Sequence, residues 1–521
     1  MATAAASEPL PRREGTIFGH PKGLFVLFFT EMWERFSYYG MRSLLVLYMV
    51  NFLFIQPDVG QRVLGFTALK GSLEGVFGPL PVQPLSSQIY GLYTAFVYLT
   101  PFFGGLLADR VLGQRKAVIL GAVLMAIGHF LMAVEHLFFV ALIFLILGNG
   151  AFKPNISTQV GSLYPQGDPR RDGAFTIFYM GINLGAFFSP LVCGTLGQTI
   201  GWHYGFAAAG VGMVLGLLLY LWGRRYLGVA PSTVRSTPAR ATASIGIYLV
   251  GIVGGLLFLI LGLPALLGAI PALVRWGLLA AAVVVFGVYF FRWMMTMPRE
   301  ERLRIGAIIV LCGLNIVFWA CYEQQGNTMQ LFADQNTNWN LLGLTIPSTW
   351  YQAFNPAMIF LFAPGLSAFW VWQARRNQEP NSVTKMAIGC FLLGLSFIIM
   401  IVASQGLTAD MRRSVMWLGS TTVVLTMGEL YLSPIGLSFV TKVAPARMVS
   451  MMMGVWFLSS FFGNYLSGYL GTFWTRMPRG QFFLMLTVLG IATGIVIFLI
   501  SRPIDRIVGA HDRGALKPVV H

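Results

Sequence analysis

Apolar residues run in long blocks at 24–54, 85–107, 116–134, 138–163, 173–194, 202–222, 244–268, 272–293, 305–333, 350–372, 385–405, 413–439, 449–474 and 480–501. A helix needs roughly 20 apolar residues to cross the hydrocarbon core of a bilayer, so each block predicts a transmembrane helix. The fourteen together predict an all-α polytopic membrane protein with both ends of the chain on one side. The stretch 56–84 is Pro- and Gly-rich and reads as a long external loop, while 223–243, rich in Arg, Pro, Ser and Thr, reads as a linker. The linker splits the chain into an N-terminal tail (1–23), a six-helix unit (24–222), a linker region with an inserted two-helix hairpin (223–304), a second six-helix unit (305–501) and a C-terminal tail (502–521).

Composition supports this reading, since 56% of residues are hydrophobic and 10% charged, outside the range of soluble domains. A net charge of +16 in a soluble protein would suggest a nucleic-acid partner; here its distribution gives orientation instead. With the amino terminus inside, 25 of the 35 Lys and Arg fall on cytoplasmic stretches, 7 on external ones, and Arg35, Arg42 and Lys153 at membrane depth. A multi-pass protein with both termini cytoplasmic is expected, in contact with lipid and not with nucleic acid. Cys193, Cys312, Cys321 and Cys390 all lie inside apolar blocks, and none stands at metal-ligand spacing from a His, which predicts neither disulfides nor zinc. The chain has no Walker lysine motif and no nucleophile–base constellation, which argues against a nucleotide-driven pump and against an enzyme. Gly148-Asn149-Gly150 lacks the third glycine of a dinucleotide loop and predicts close helix packing.

The chemistry is carried by charges placed where they are costly. In the first block Glu31, Glu34, Arg35, Tyr38 and Arg42 fall within a helical sector of about 100°, away from Phe36 and Leu44. Each ionisable group near the bilayer centre costs about 2.5 to 3.5 kcal/mol, so such a stripe must face a wet cavity or opposite charges. The first helix therefore lines a polar pathway. Lys153 in the fourth block needs a carboxylate or a water-filled site, and Glu323 and Glu429 in the second half are the available partners. Gly104-Gly105-Leu106-Leu107-Ala108-Asp109-Arg110, followed by Gly113-Gln114-Arg115-Lys116, closes the second block with a charged turn on the cytoplasmic side.

These residues carry a resemblance. The motif Glu31-x-x-Glu34-Arg35-Phe36 with Tyr38, Tyr39 and Gly40, the run Phe178-Tyr179-Met180-Gly181-Ile182-Asn183-Leu184-Gly185, Phe354-Asn355-Pro356, and Glu429 with Ser433 and Pro434 resemble bacterial proton-coupled oligopeptide transporters of the major facilitator superfamily. The likeness extends over nearly the whole chain, and the hairpin also looks like one common in bacterial members. It implies a major facilitator fold of two six-helix bundles and symport of di- and tripeptides with protons across the bacterial cytoplasmic membrane, without a cofactor and as a monomer. By resemblance, Glu31, Glu34, Arg35 and Glu323 would couple protons. Arg35, Arg42 and Lys153 would hold the peptide carboxylate, and Glu429, helped by Asn183 and Asn355, the ammonium. Tyr38, Tyr39, Tyr93, Trp319 and Trp456 would line side-chain pockets, with Ser433 beside them. Arg42 with Glu323 and Lys153 with Glu429 would pair across the halves as gates, and Asp109 with Arg110 would latch the inner face. A plant branch of the superfamily that carries nitrate and other anions often lacks the paired Glu motif present here.

Overall fold

The computed structural model describes residues 16–165, 168–228, 238–341, 343–408 and 410–515. The outer parts of both expected tails (1–15 and 516–521) and the middle of the linker (229–237) lie outside the described residues. The chain folds into helices α1 (Lys22–Tyr48), α2 (Phe66–Phe77), α3 (Val82–Leu112), α4 (Gln114–Leu131), α5 (Glu135–Ser162), α6 (Arg170–Thr199), α7 (Trp202–Tyr226), α8 (Pro238–Leu257), α9 (Ala272–Met295), α10 (Arg299–Asn336), α11 (Ser348–Arg375), α12 (Ser382–Ala403), α13 (Val415–Val443), α14 (Val449–Gly471) and α15 (Arg479–Ala515). Among the described residues, ten of these helices are long and apolar enough to cross a membrane. The polar stripe of α1 keeps it outside that group; α1, α8, α9 and α14 supply the rest of the expected segments.

Three boundaries differ from the apolar pattern. The 56–84 stretch contains a helix, α2, whose Phe66, Leu69 and Leu73 are buried at helical spacing. Gly65 and Gly78, at φ 82° and 74°, bound it in conformations that disfavour other residues. The expected linker is shortened because α7 runs to Tyr226 and α8 starts at Pro238, where proline's missing N–H has no helical partner to lose. At the far end α15 continues beyond residue 501 to Ala515, since a helix satisfies its own backbone whether or not its surroundings are apolar.

Two bundles follow from the packing. In the first, α1 packs on α6 and α7, and α5 on α3 and α4; in the second, α12 packs on α13 and α15, and α10 on α14. The hairpin leans on the first bundle, with the Tyr248 hydroxyl donating to the carbonyl of Leu147 at 3.3 Å, while most of the described side chains of α9 are exposed. The Gly-Asn-Gly run does serve close packing, since a Cβ on Gly148 would lie 2.7 Å from the Gly121 carbonyl and one on Gly150 2.7 Å from Thr100 Cβ. Between the bundles, α3 crosses α14 where Gly91 meets Gly468.

Candidate functional site

The stripe on α1 is buried and divides into two clusters. In the first, Arg35 lies along Glu34, with Nε 2.5 Å from Oε2 and a second nitrogen 2.7 Å from Oε1. Glu31 competes for the same guanidinium and receives less, a single approach of 3.3 Å to Nε. Its other oxygen, Oε2, is buried without a hydrogen-bond partner among the described residues. A two-point grip outcompetes a longer single contact, so Glu34 is the committed partner and Glu31 the loosely held carboxylate.

Two helical turns further along, Arg42 crosses to the second bundle. One of its terminal nitrogens lies 2.5 Å from Glu323 Oε2, and its Nε donates to the Tyr90 hydroxyl at 2.8 Å. Glu323 opens a short 3-10 turn, Glu323–Gly326, that interrupts α10 inside the membrane. Gly326 explains the tight fit, because a Cβ there would overlap the Tyr90 hydroxyl and sit 2.9 Å from Arg42 Nε.

Between the clusters and the second bundle lies a cavity of about 330 Å³. Tyr39, Arg42, Lys153 and Asn183 line it from the first bundle, and Trp319, Glu323, Asn355, Glu429, Ser433 and Trp456 from the second. Glu429 accepts from the Tyr322 hydroxyl at 2.6 Å and from Asn355 Nδ2 at 2.9 Å. Lys153 makes no ion pair among the described residues; its ammonium stands 4.7 Å from the centroid of the Tyr98 ring. The cavity thus holds cationic groups on one wall and a carboxylate with two neutral donors on the other.

Not all of the expected residues gather here. Arg35 and Tyr38 are buried beside the cavity, with the guanidinium 5.2 Å from the Tyr38 ring centroid, and neither lines it. Tyr93 faces the apolar space between α3, α5 and the hairpin. The pairing expected between Lys153 and Glu429 is not formed, and Asp109 and Arg110 make no ion pair among the described residues. The pairings that are not formed, Lys153 with Glu429 and those of Asp109 and Arg110, go with one feature of the bundle contacts. Among the described residues, the side-chain hydrogen bonds between the bundles lie at the face opposite the Arg- and Lys-rich loops, among them Arg42 to Glu323, Ser87 to Asn327, Gln83 to the Gly471 carbonyl, Thr475 to Gln83, Trp350 to Thr195, and Asn51 and Gln198 to Asp334. The basic face is unlatched, so groups expected to meet when it closes stand apart.

Comparison with known proteins identifies the arrangement. The sequence profile of the POT family matches residues 115–485.

The chain belongs to the POT family.

It is 37% identical over 475 residues to the peptide transporter YePEPT of Yersinia enterocolitica, covering 88% of each chain. It is 34% identical over 514 residues to the di-/tripeptide transporter of Lactococcus lactis subsp. cremoris, covering 96% of this chain and 99% of that protein. A crystal structure of the peptide transporter POT in complex with sulfate superposes with a TM-score of 0.78 at 36% identity, covering 95% of this chain and 97% of that one. The POT family contains transporters, and this chain is a transporter, not an enzyme.

Within this POT-family site, the sequence reading missed Tyr90, Tyr98, Tyr322 and Gln352. On α3 the helical period had a usable signal: Tyr90, Thr94 and Tyr98 recur every four residues within a sector of about 80°, whereas Tyr93 lies outside that sector, about 140° from Tyr98. Tyr322 adjoins Glu323 in the chain, and its hydroxyl reaches the other acid, Glu429. Gln352, whose Nε2 donates to the Gln325 carbonyl at 2.7 Å, had no such signal.

Proposed function

We propose that this POT-family transporter is a proton-coupled symporter that imports di- and tripeptides by alternating access. One observation carries the reading: the shared cavity sets Arg42 and Lys153 on one wall and Glu429, with Tyr322 and Asn355, on the other. A peptide presents a carboxylate at one end and an ammonium at the other, with side chains that must be accepted almost without discrimination. Termini must therefore supply most of the affinity, and the aromatic residues Tyr39, Trp319 and Trp456 offer walls that tolerate many side chains. The names of the relatives, peptide and di-/tripeptide transporters, agree with this substrate class.

In this reading the basic face is cytoplasmic, both termini lie inside, and the protein sits in a bacterial cytoplasmic membrane. The described conformation is then inward-open, with Arg42 and Glu323 closing the outer side. Glu31, Glu34, Arg35 and Glu323 carry the coupling, and the two six-helix bundles, at 24–222 and 305–501, rock about the cavity. Proteoliposomes loaded with unlabelled dialanine should take up labelled dialanine by exchange, and free dialanine outside should suppress that uptake. N-acetyl-dialanine and dialanine amide, each lacking one terminal charge, should compete about tenfold or more weakly, the value of one hydrogen bond to a charged group. Competition as strong as that of dialanine itself would contradict recognition through the two termini.

A further inference from the structure

Farther out than the Arg42–Glu323 pair, the bundles meet again through a group the preceding mechanism does not use. Asp334, near the end of α10, has no ion-pair partner among the described residues. It is held by neutral donors: Ser348 Oγ at 2.7 Å and Gln198 Nε2 at 3.3 Å on Oδ1, and Asn51 Nδ2 at 2.9 Å on Oδ2. Asn51 and Gln198 belong to the first bundle, Asp334 and Ser348 to the second. Arg412 donates to the backbone carbonyl of Asp334 at 2.9 Å, not to its carboxylate.

Gln198 is committed to this interface at both ends of its amide. Its Nε2 donates to Asp334 and, at 2.9 Å, to Ser348 Oγ; its Oε1 accepts from the Thr349 backbone N–H at 3.0 Å and the Thr349 hydroxyl at 2.9 Å. The backbone is shaped for the approach, since a Cβ on Gly194 would overlap the Thr349 hydroxyl, and Trp350 Nε1 donates to Thr195 Oγ1 at 2.8 Å. Two of the three donors to the carboxylate come from the opposite bundle, so those bonds last only while the bundles touch. Parting them leaves Asp334 and the Gln198 amide to water and to each other's absence at once.

We infer that Asp334 and Gln198 form an outer latch, in which the charge of Asp334 holds α6 against α10 and the start of α11 and sets how readily this transporter opens outward. Asp334 is a positioning residue: it touches no cavity atom and acts through the equilibrium between the two faces. The inference rests on the alternating-access reading but not on the identity of the solute, and it is tested without solute.

Spin labels at Ile200→Cys and Met416→Cys, which are 63% and 69% exposed on the outer ends of the two bundles, report outer opening, while the four native cysteines are buried. In the full-length protein in nanodiscs, Asp334→Asn and Gln198→Leu should each raise the ratio of long to short distances about tenfold, the worth of one hydrogen bond to a charged group. Asp334→Glu should restore part of the closed population. The double variant should open less than the two single effects combined, because both remove the shared Gln198–Asp334 bond. Unchanged distances in both single variants, or additive opening in the double one, would overturn the latch. Dialanine exchange by wild-type protein, measured separately, tests the solute reading, so the two can fail independently. If Asp334→Asn does not fold, Gln198→Leu alone decides the outcome by the same distances.

Discussion

Glu31 and Glu34 lie three residues apart on one face of α1, and both address Arg35, yet they are not equivalent. Glu34 takes the two-point grip, while Glu31 keeps one oxygen without a partner. In the proposed coupling scheme we assign the proton to Glu31, the carboxylate that keeps one buried oxygen without a partner among the described residues. Glu31→Gln should abolish accumulation driven by a proton gradient while leaving dialanine exchange measurable; full accumulation in the variant would move the proton elsewhere. Tyr90 supports the other cluster by accepting from Arg42 Nε. Tyr90→Phe should weaken the gate by about 1 kcal/mol, seen as a several-fold rise in outward-open population in spin-label distances, with no effect expected on peptide KM beyond that shift. At this scale the acids and bases were legible because charge inside an apolar block is conspicuous. Their pairings were legible only in part: Arg42 with Glu323 was implied by the family resemblance, whereas Tyr90 and Gln352 are polar residues of a kind common at helix faces, and only the fold brings them to their partners.

The elements were legible wherever apolarity and helix coincide. They diverge at α2, whose short amphipathic pattern is hidden among glycines and prolines, and at α10, where a continuous apolar block contains the break at Glu323–Gly326. That break puts Glu323 opposite Arg42, and no hydrophobic pattern announces it. The crossing of α3 and α14 depends on a different local feature. A Cβ on Gly91 would lie 2.6 Å from Gly468 Cα, with no flexible side chain to move aside. Gly91→Val should therefore separate the two helices, lower the thermal transition of the purified protein by several degrees and cut dialanine exchange at least about tenfold. An exchange rate equal to wild type at an unchanged transition temperature would show that the helices need not pass so closely.

Around the cavity and the two α1 clusters, the charges balance nearly but not fully. Arg35, Arg42 and Lys153 face Glu31, Glu34, Glu323 and Glu429, one net negative charge that a single proton neutralises. Lys153 makes no ion pair among the described residues, and in the proposed cycle it is the group that meets a carboxylate when the basic face closes. Lys153→Ala should leave that carboxylate unpaired and abolish gradient-driven uptake into proteoliposomes, and uptake at the wild-type rate would remove Lys153 from the cycle. A zwitterionic peptide leaves the charge count unchanged, so one proton should accompany each neutral dipeptide. One such charge gains about 2.3 kcal/mol per 100 mV, enough for roughly fifty-fold accumulation.

The most direct measurement is uptake of labelled dialanine into proteoliposomes, with an inward proton gradient and negative interior and then with both collapsed by an ionophore. The account predicts accumulation above the external concentration only under the gradient, and a reversal potential corresponding to one proton per dipeptide. Uptake no greater than that of empty liposomes, accumulation that survives collapse, or a ratio of two or more protons would contradict it.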